Sequence, residues 1–264
     1  VGGSVSFLAY STLEETIQTM SAELAREGFV VMLGITGNDP ERTEQIVRAA
    51  VARRVDAIIT GVTPPSLRAM VESSNVTVIE AWGLPEEPVD VAVGFSHLDV
   101  GRAVGRFVRD RGYVRPHLVT ARGLRAERRR LGFLESWMMP GHVEPTESQV
   151  DIPTGFGHAR ATFAELRRLP EMPDVVVCGS DYLAQGLIVE ATNAGLRVPA
   201  DLAIIGFGNN AIASEMRPTI TSVNIDGKRI AQEAVAIIRK RADGEAVQER
   251  RIDVGFEIIA RESA

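Results

Sequence analysis

Short β-branched runs alternate with amphipathic stretches from one end of this chain to the other, and that alternation restricts the possible folds more than any other feature. Two of the runs, Asp174-Val175-Val176-Val177-Cys178 and Leu202-Ala203-Ile204-Ile205-Gly206-Phe207, are almost wholly apolar. Strands covered by helices on both faces read this way, whereas a half-wet antiparallel strand shows a polar residue at every second position. The expected fold class is therefore α/β, a mostly parallel sheet whose strands are joined by helices that return the chain.

Residue by residue, strands are expected at 5–10, 30–35, 55–60, 76–80 and 91–95, with helices near 17–25, 40–52, 64–72 and 98–111. Ile17, Met20, Leu24 and Ala25 recur at helical intervals, Pro40 opens a helix, and Gly28 and Gly112 stop two others. A second round follows, with strands at 116–120, 174–178 and 202–207 and helices at 127–137, 158–169 and 183–194. The strand 220–224 then leads into a helix over 227–241 and a last strand over 251–259. Two rounds imply two lobes, each with its own sheet, and the lack of a Gly/Ser linker makes the boundary near residue 120 a tight crossing.

The chain has 264 residues, 45% of them hydrophobic, so it can build a sizeable core. Nothing resembles the roughly 20 uncharged apolar residues of a membrane span. With 29 Lys+Arg against 35 Asp+Glu the net charge is -6, the wrong sign for a surface that holds nucleic acid by neutralising phosphates. Cys178 alone makes neither an internal disulfide nor a zinc site, and the segment Val1-Gly2-Gly3-Ser4 lacks a basic leader, so a reducing cytoplasm is the expected location, although a processed secreted chain would also lack its leader. His97, His117, His142 and His158 are far apart with no i,i+4 pair, which predicts no metal, and no cofactor is expected. Gly206-Phe207-Gly208 follows a strand, and Ala211 stands where the dinucleotide fingerprint wants its third small residue. Asn209-Asn210 does not lead into a clear helix, however, and no acidic residue closes a following strand about 20 residues on, so no nucleotide site is expected there. No nucleophile elbow appears and no base points to Cys178, so an enzyme is not expected.

The most unusual local feature is the basic run Arg122, Arg125, Arg128, Arg129 and Arg130 beside Leu131, Phe133, Leu134 and Trp137. Arg128 and Arg130 read as a solvated helix face. Arg125 and Arg129 are four apart, so they share one face near a helix start, where backbone N–H groups also favour an anion. Two guanidiniums there suit a carboxylate.

Several segments together resemble the effector-binding part of the LacI/GalR family of bacterial transcription repressors, and within it the gluconate-repressor branch. They are Val91-Ala92-Val93-Gly94-Phe95-Ser96-His97 leading into Gly101-Arg102-Ala103, the Arg129-Arg130-Leu131-Gly132-Phe133 helix, Gly179 to Gly186, and Val198 to Phe207. Glu80, Arg125 and Gly208-Asn209 carry the likeness to the gluconate branch. The resemblance implies two lobes of the periplasmic-binding-protein type, residues 1–119 plus 223–245 and residues 120–222 plus 246–264, with crossings near 120, 222 and 245. It also implies a small effector in the cleft between the lobes, either a sugar acid or a sugar phosphate. Its ligand contacts would be Tyr10, Glu80, Phe95, Arg125, Arg129, Ser180, Asp181 and Asn209. Arg125 and Arg129 would take the anionic end, Phe95 would pack on the carbon chain, and Glu80, Ser180, Asp181 and Asn209 would order hydroxyls. Family members usually carry an Asp where Gly208 stands, so a neutral sugar held by that Asp is not expected. The resemblance further implies a homodimer, with contacts from the 65–70 helix and the 214–221 segment, and operator DNA bound through a headpiece outside this chain. The alternative function is the solute-binding protein of a sugar transporter, which uses the same fold.

Overall fold

The computed structural model describes residues 2–5, 11–36, 39–61, 63, 65–152 and 156–264. They form two compact α/β units, residues 1–96 with 226–255 and residues 97–225 with 256–264. The first sheet contains β1 (Gly2–Val5), β2 (Met32–Ile35), β3 (Ala57–Thr60), β4 (Thr77–Ala81), β5 (Val91–Gly94) and β11 (Arg251–Asp253). Its helices are α1 (Ser11–Arg26), α2 (Pro40–Ala52), α3 (Arg68–Glu72) and α9 (Gly227–Ala242). The second sheet contains β6 (Pro116–Ala121), β7 (Thr146–Val150), β8 (Val175–Cys178), β9 (Ala203–Phe207), β10 (Thr221–Asn224) and β12 (Glu257–Ile259). It is served by α4 (His97–Asp110), α5 (Leu124–Trp137), α6 (Phe156–Leu166), α7 (Asp181–Asn193) and α8 (Ala211–Glu215).

The sheet orders are β11-β5-β4-β3-β1-β2 and β12-β10-β9-β8-β6-β7. Paired strands are parallel except β12, which runs antiparallel to β10. Both orders reverse direction once, between β1 and β3 and between β6 and β8, and open α/β sheets bind ligands at the carboxyl ends of their strands at such a switch point. The apolar runs behave as their composition demands: β3, β4 and β5 are buried throughout, and Val176, Ile204 and Ile205 are fully covered. Local chemistry starts the helices. Asp39 caps α2 by accepting from the Glu41 and Arg42 amides, with Pro40 next, and Asp226 caps α9 through the Arg229 amide.

Four features depart from the sequence-based expectation. The first strand, β1 at Gly2–Val5, begins earlier than expected, and residues 6–10 of the expected strand lie outside the described residues. The edge strand β7 was not expected, because of its five residues only Ser148 and Val150 are buried and the sequence Thr-Glu-Ser-Gln-Val carries no apolar pattern. Asn209-Asn210 does lead into a helix, α8, although its five residues are too short for the dinucleotide arrangement. The expected strand 251–259 breaks at 254–256, so that β11 joins the first sheet and β12 the second.

This break, together with α4, shifts the division of the chain. The units exchange chain at 96–97, 225–226 and 255–256; the second lies beside the crossing expected near 222, whereas the first and third lie away from those expected near 120 and 245. The first of these shifts has a packing cause: α4 lies along α5 with almost no side chain between the two backbones. A Cβ on Gly101 would overlap the Arg129 carbonyl, one on Gly132 would overlap the Leu98 carbonyl, and one on Gly105 would crowd Ser136 and the Phe133 carbonyl. In the 214–221 segment Ile220 is fully buried and Met216 packs against the core cluster of the second unit, while Ser214, Glu215 and Arg217 are exposed.

His117 on β6 is also buried, in a polar chain. Its Nδ1 lies 2.7 Å from Thr146 Oγ1 and its Nε2 3.1 Å from Ser148 Oγ, while the Ser148 hydroxyl donates to Glu165 at 2.8 Å. Because Ser148 spends its one proton on Glu165, Nε2 must donate and Nδ1 must accept from Thr146. Burial pushes His117 down to about 4, against the pull of Glu165 and Glu147.

Gly132→Ala should lower stability by about 1–3 kcal/mol in urea melts, since the added methyl forces two backbones apart. Gly157→Ala in α6 meets no atom within 4 Å and should be neutral or slightly stabilising. The folded His117 binds its proton less readily than the unfolded one, so its contribution is complete above pH 6.5 and lost as pH falls toward 4. Between pH 7 and 4.5 wild type should lose about 2–3 kcal/mol more than His117→Gln, read as the difference in urea midpoints.

Candidate functional site

At the carboxyl ends of the second sheet three side chains form one assembly. Arg129, on the second turn of α5, donates from Nη1 to Nδ1 of His97 at 3.0 Å, and its guanidinium carbon lies 4.4 Å from the centre of the Phe207 ring. Phe207 ends β9 and His97 begins α4. A guanidinium over an aromatic face is held by about 0.5–2 kcal/mol and keeps its in-plane N–H donors turned outward. Beneath it is a cavity of about 50 Å³ lined by Val100, Val119, Phe133, Val177, Cys178 and Phe207 among others. That space is apolar and suits a few water-sized groups. A polyhydroxylated chain would lie outside it.

The remaining arginines of the basic run divide by role. Arg122 pairs with Asp151 at 2.9 Å, and Arg130 pairs with Glu147 at 2.6 Å, so both serve local structure. Arg125 is half-buried one turn before Arg129 on α5, and Arg128 is exposed.

Ser180, Asp181 and Asn209 are brought together, in a network that ties loops to strands. Ser180 is buried and caps α7 by accepting from the Leu183 amide at 3.3 Å. Asp181 is fully buried, and one of its carboxylate oxygens accepts from the Ser222 hydroxyl at 2.6 Å and the other from the Asn210 amide at 2.8 Å. Burial pushes its carboxyl up, and these hydrogen bonds oppose the shift. Gly206 leaves the room that carboxylate needs, because a Cβ there would strike Asp181. Asn209 takes a left-handed backbone (φ 49°), donates to Asn224 at 3.0 Å and accepts from Arg261 at 2.7 Å. The hydroxyl-ordering role expected of these three meets groups already bonded within their own unit.

In the first unit Glu80 is buried near the end of β4. Its two carboxylate oxygens accept from the Thr63 and Val89 amides, each at 3.0 Å. Arg250 holds the same 88–90 loop from the other side through the Pro88, Val89 and Asp90 carbonyls. Glu80 therefore joins two loops. Phe95, just past β5, is buried. Tyr10 lies outside the described residues.

Sequence reasoning overlooked Phe207, His97 and Trp82. Phe207 was legible only as a strand end and His97 only as the close of a family-like segment, because nothing in their spacing announces a shared partner. Trp82 is buried with φ 61°, an uncommon conformation for a bulky residue, and donates from Nε1 to Thr16 at 3.1 Å. Gly83 and Gly94 touch directly beside it.

Among the described residues no cluster of His, Cys, Asp or Glu could hold a metal, and no helix is long and apolar enough to cross a membrane. Cys178 is buried and its thiol is pushed well above its ordinary range by desolvation, so it is a poor nucleophile. Asp181→Ala should cost about 1–3 kcal/mol by orphaning Ser222 and the Asn210 amide, and Ser180→Ala about 1 kcal/mol through loss of the α7 cap, both measured by urea denaturation.

Residues 105–264 match the family model described as a periplasmic binding protein-like domain. The HTH-type transcriptional regulator GntR of Pseudomonas aeruginosa is 28% identical over 272 residues, covering 98% of this chain and 77% of that protein. The HTH-type transcriptional repressor PurR of Klebsiella pneumoniae is 24% identical over 281 residues, 98% of this chain and 79% of that protein. Among solved structures, the transcription regulator GntR from Chromobacterium violaceum superimposes with a TM-score of 0.88 at 25% identity, over 100% of this chain and 99% of that one. The chain belongs to the family of periplasmic-binding-protein-like domains, in the form that serves LacI-type transcriptional regulators as their effector-sensing part.

Proposed function

We propose that this domain senses a small polyhydroxy acid of the gluconate kind, or a phosphorylated relative, and that Arg129 takes its anionic end with Arg125 one turn away on the same helix. The observation that carries the reading is the guanidinium of Arg129, held at the carboxyl ends of a parallel sheet by an aromatic face and a ring nitrogen. A planar fork set in advance suits a carboxylate or phosphate, each charge-assisted hydrogen bond contributing about 1.5–3 kcal/mol. Glu80, Ser180, Asp181 and Asn209 enter this reading as the frame of the site, because their polar atoms serve the hydrogen bonds described above. The resemblance to the gluconate-repressor branch supports the choice of acid. We further propose that the protein acts in the cytoplasm as a homodimer and reaches operator DNA through a headpiece outside this chain.

A thermal-shift screen of sugar acids and sugar phosphates should raise the melting temperature for at least one, since ligand at about 100 times its Kd adds roughly 2.7 kcal/mol. Calorimetry should then find Arg129→Ala weaker by about 10- to 100-fold for that ligand. Equal affinity of Arg129→Ala and wild type would remove the basis of the proposal. In the complete regulator, saturating effector should change operator affinity by about 5- to 150-fold, and operator should change effector affinity by the same factor. No change in either direction would favour a solute-binding protein instead.

A further inference from the structure

We infer that His97 is the positioning residue of the anion site: its unprotonated Nδ1 holds the Arg129 guanidinium over Phe207, in the orientation a carboxylate or phosphate meets. This inference rests on the reading of Arg129 as the anion anchor. A guanidinium has only donors and keeps its proton at any relevant pH, so a contact at 3.0 Å requires a lone pair on Nδ1. The ring is then neutral with its proton on Nε2. Two further features favour that state. An imidazolium would face the Arg129 charge, and it would stand at the amino end of α4, where the helix dipole already gives positive potential. The nearby carboxylate on that turn, Asp99, is engaged by Arg102 at 2.8 Å.

Phe207 and His97 restrain different motions. Stacking on Phe207 sets the plane of the guanidinium but leaves it free to rotate and slide over the ring; the bond to His97 fixes rotation within that plane. The reach of His97 is itself fixed, because the neighbouring Leu98 carbonyl rests on Gly132 and the Arg129 carbonyl rests on Gly101. Backbone contacts one residue from His97 and at Arg129 itself therefore set the separation that the 3.0 Å bond spans. An arginine ordered before the ligand arrives loses less rotamer freedom on binding.

The test compares His97→Leu, which removes the acceptor, with His97→Asn, whose Oδ1 occupies about the place of Nδ1. Calorimetry with gluconate and with glucitol, the same carbon chain without the carboxylate, separates anion positioning from general damage. His97→Leu should bind gluconate roughly 3- to 10-fold more weakly, with glucitol unchanged, and His97→Asn should restore gluconate binding to within about twofold of wild type. Equal losses for the two probes, or no loss for gluconate, would overturn the inference. Long-range ¹H–¹⁵N spectra of the imidazole in the ligand-free protein decide the contact independently. Nδ1 should be the bare nitrogen at neutral pH and should change shift in Arg129→Gln; an imidazolium, a protonated Nδ1 or an unmoved shift would also overturn it. If wild type fails to bind gluconate, the ligand assignment above fails while these spectra still decide the role of His97.

Discussion

Two helix backbones touching at glycines govern the second unit. Gly101 and Gly105 on α4 and Gly132 on α5 each occupy a place where a methyl group would collide with the opposite helix. Glycine inside a helix costs about 1 kcal/mol relative to alanine, so three of them are tolerated only because the close crossing returns dense backbone packing. Such a contact has little compliance: no long side chain can change rotamer to absorb a shift. The Arg129 carbonyl is one of the groups in contact, so the anchor of the proposed site belongs to the tightest joint of the unit. Phe133 and Trp137 continue the same helix into the core, with the Trp137 indole donating to the Val143 carbonyl at 2.8 Å.

Much of the architecture was legible in the sequence, and the misses have physical causes. Val175–Cys178 and Ala203–Phe207 were read as buried parallel strands because strands covered on both faces have no polar alternation. β7 escaped because an edge strand needs few apolar residues, and Ser148 is buried for its hydrogen bonds with His117 and Glu165. The break between β11 and β12 escaped because residues 251–259 have one continuous β character, and only the partners, β5 for one part and β10 for the other, differ. The assignment of α4 to the second unit depends on glycine contacts between residues about 30 apart, which periodicity within one helix does not reveal.

The candidate site was legible at the level of charge and less so at the level of partners. The pairing of Arg125 with Arg129 followed from helical spacing. What holds Arg129 did not, since His97 and Phe207 come from the start of one helix and the end of one strand. The polar residues Glu80, Ser180, Asp181 and Asn209 are the hydroxyl-ordering residues that the resemblance implies, yet their observed bonds are to backbone amides and neighbouring side chains. A motif can persist in sequence because it closes a loop as readily as because it touches a ligand. Glu80 illustrates this: its carboxylate satisfies the Thr63 and Val89 amides, which would otherwise be buried unpaired.

Cys178 gives the second unit a built-in clock. It is the only cysteine in the chain, it ends a central strand, and burial suppresses its thiolate, so a thiol reagent meets it only when the strand and the helices over it part. Its labelling rate relative to a free thiol measures how often that occurs, and hence the free energy of opening of the sheet that carries the site. Because Cys178 stands among the residues around the cavity beneath Arg129, anything that tightens α4 and α5 against the sheet slows the same reaction. Occupancy of a site on the strand ends thus becomes readable as time, without a label on the ligand or a change in the protein.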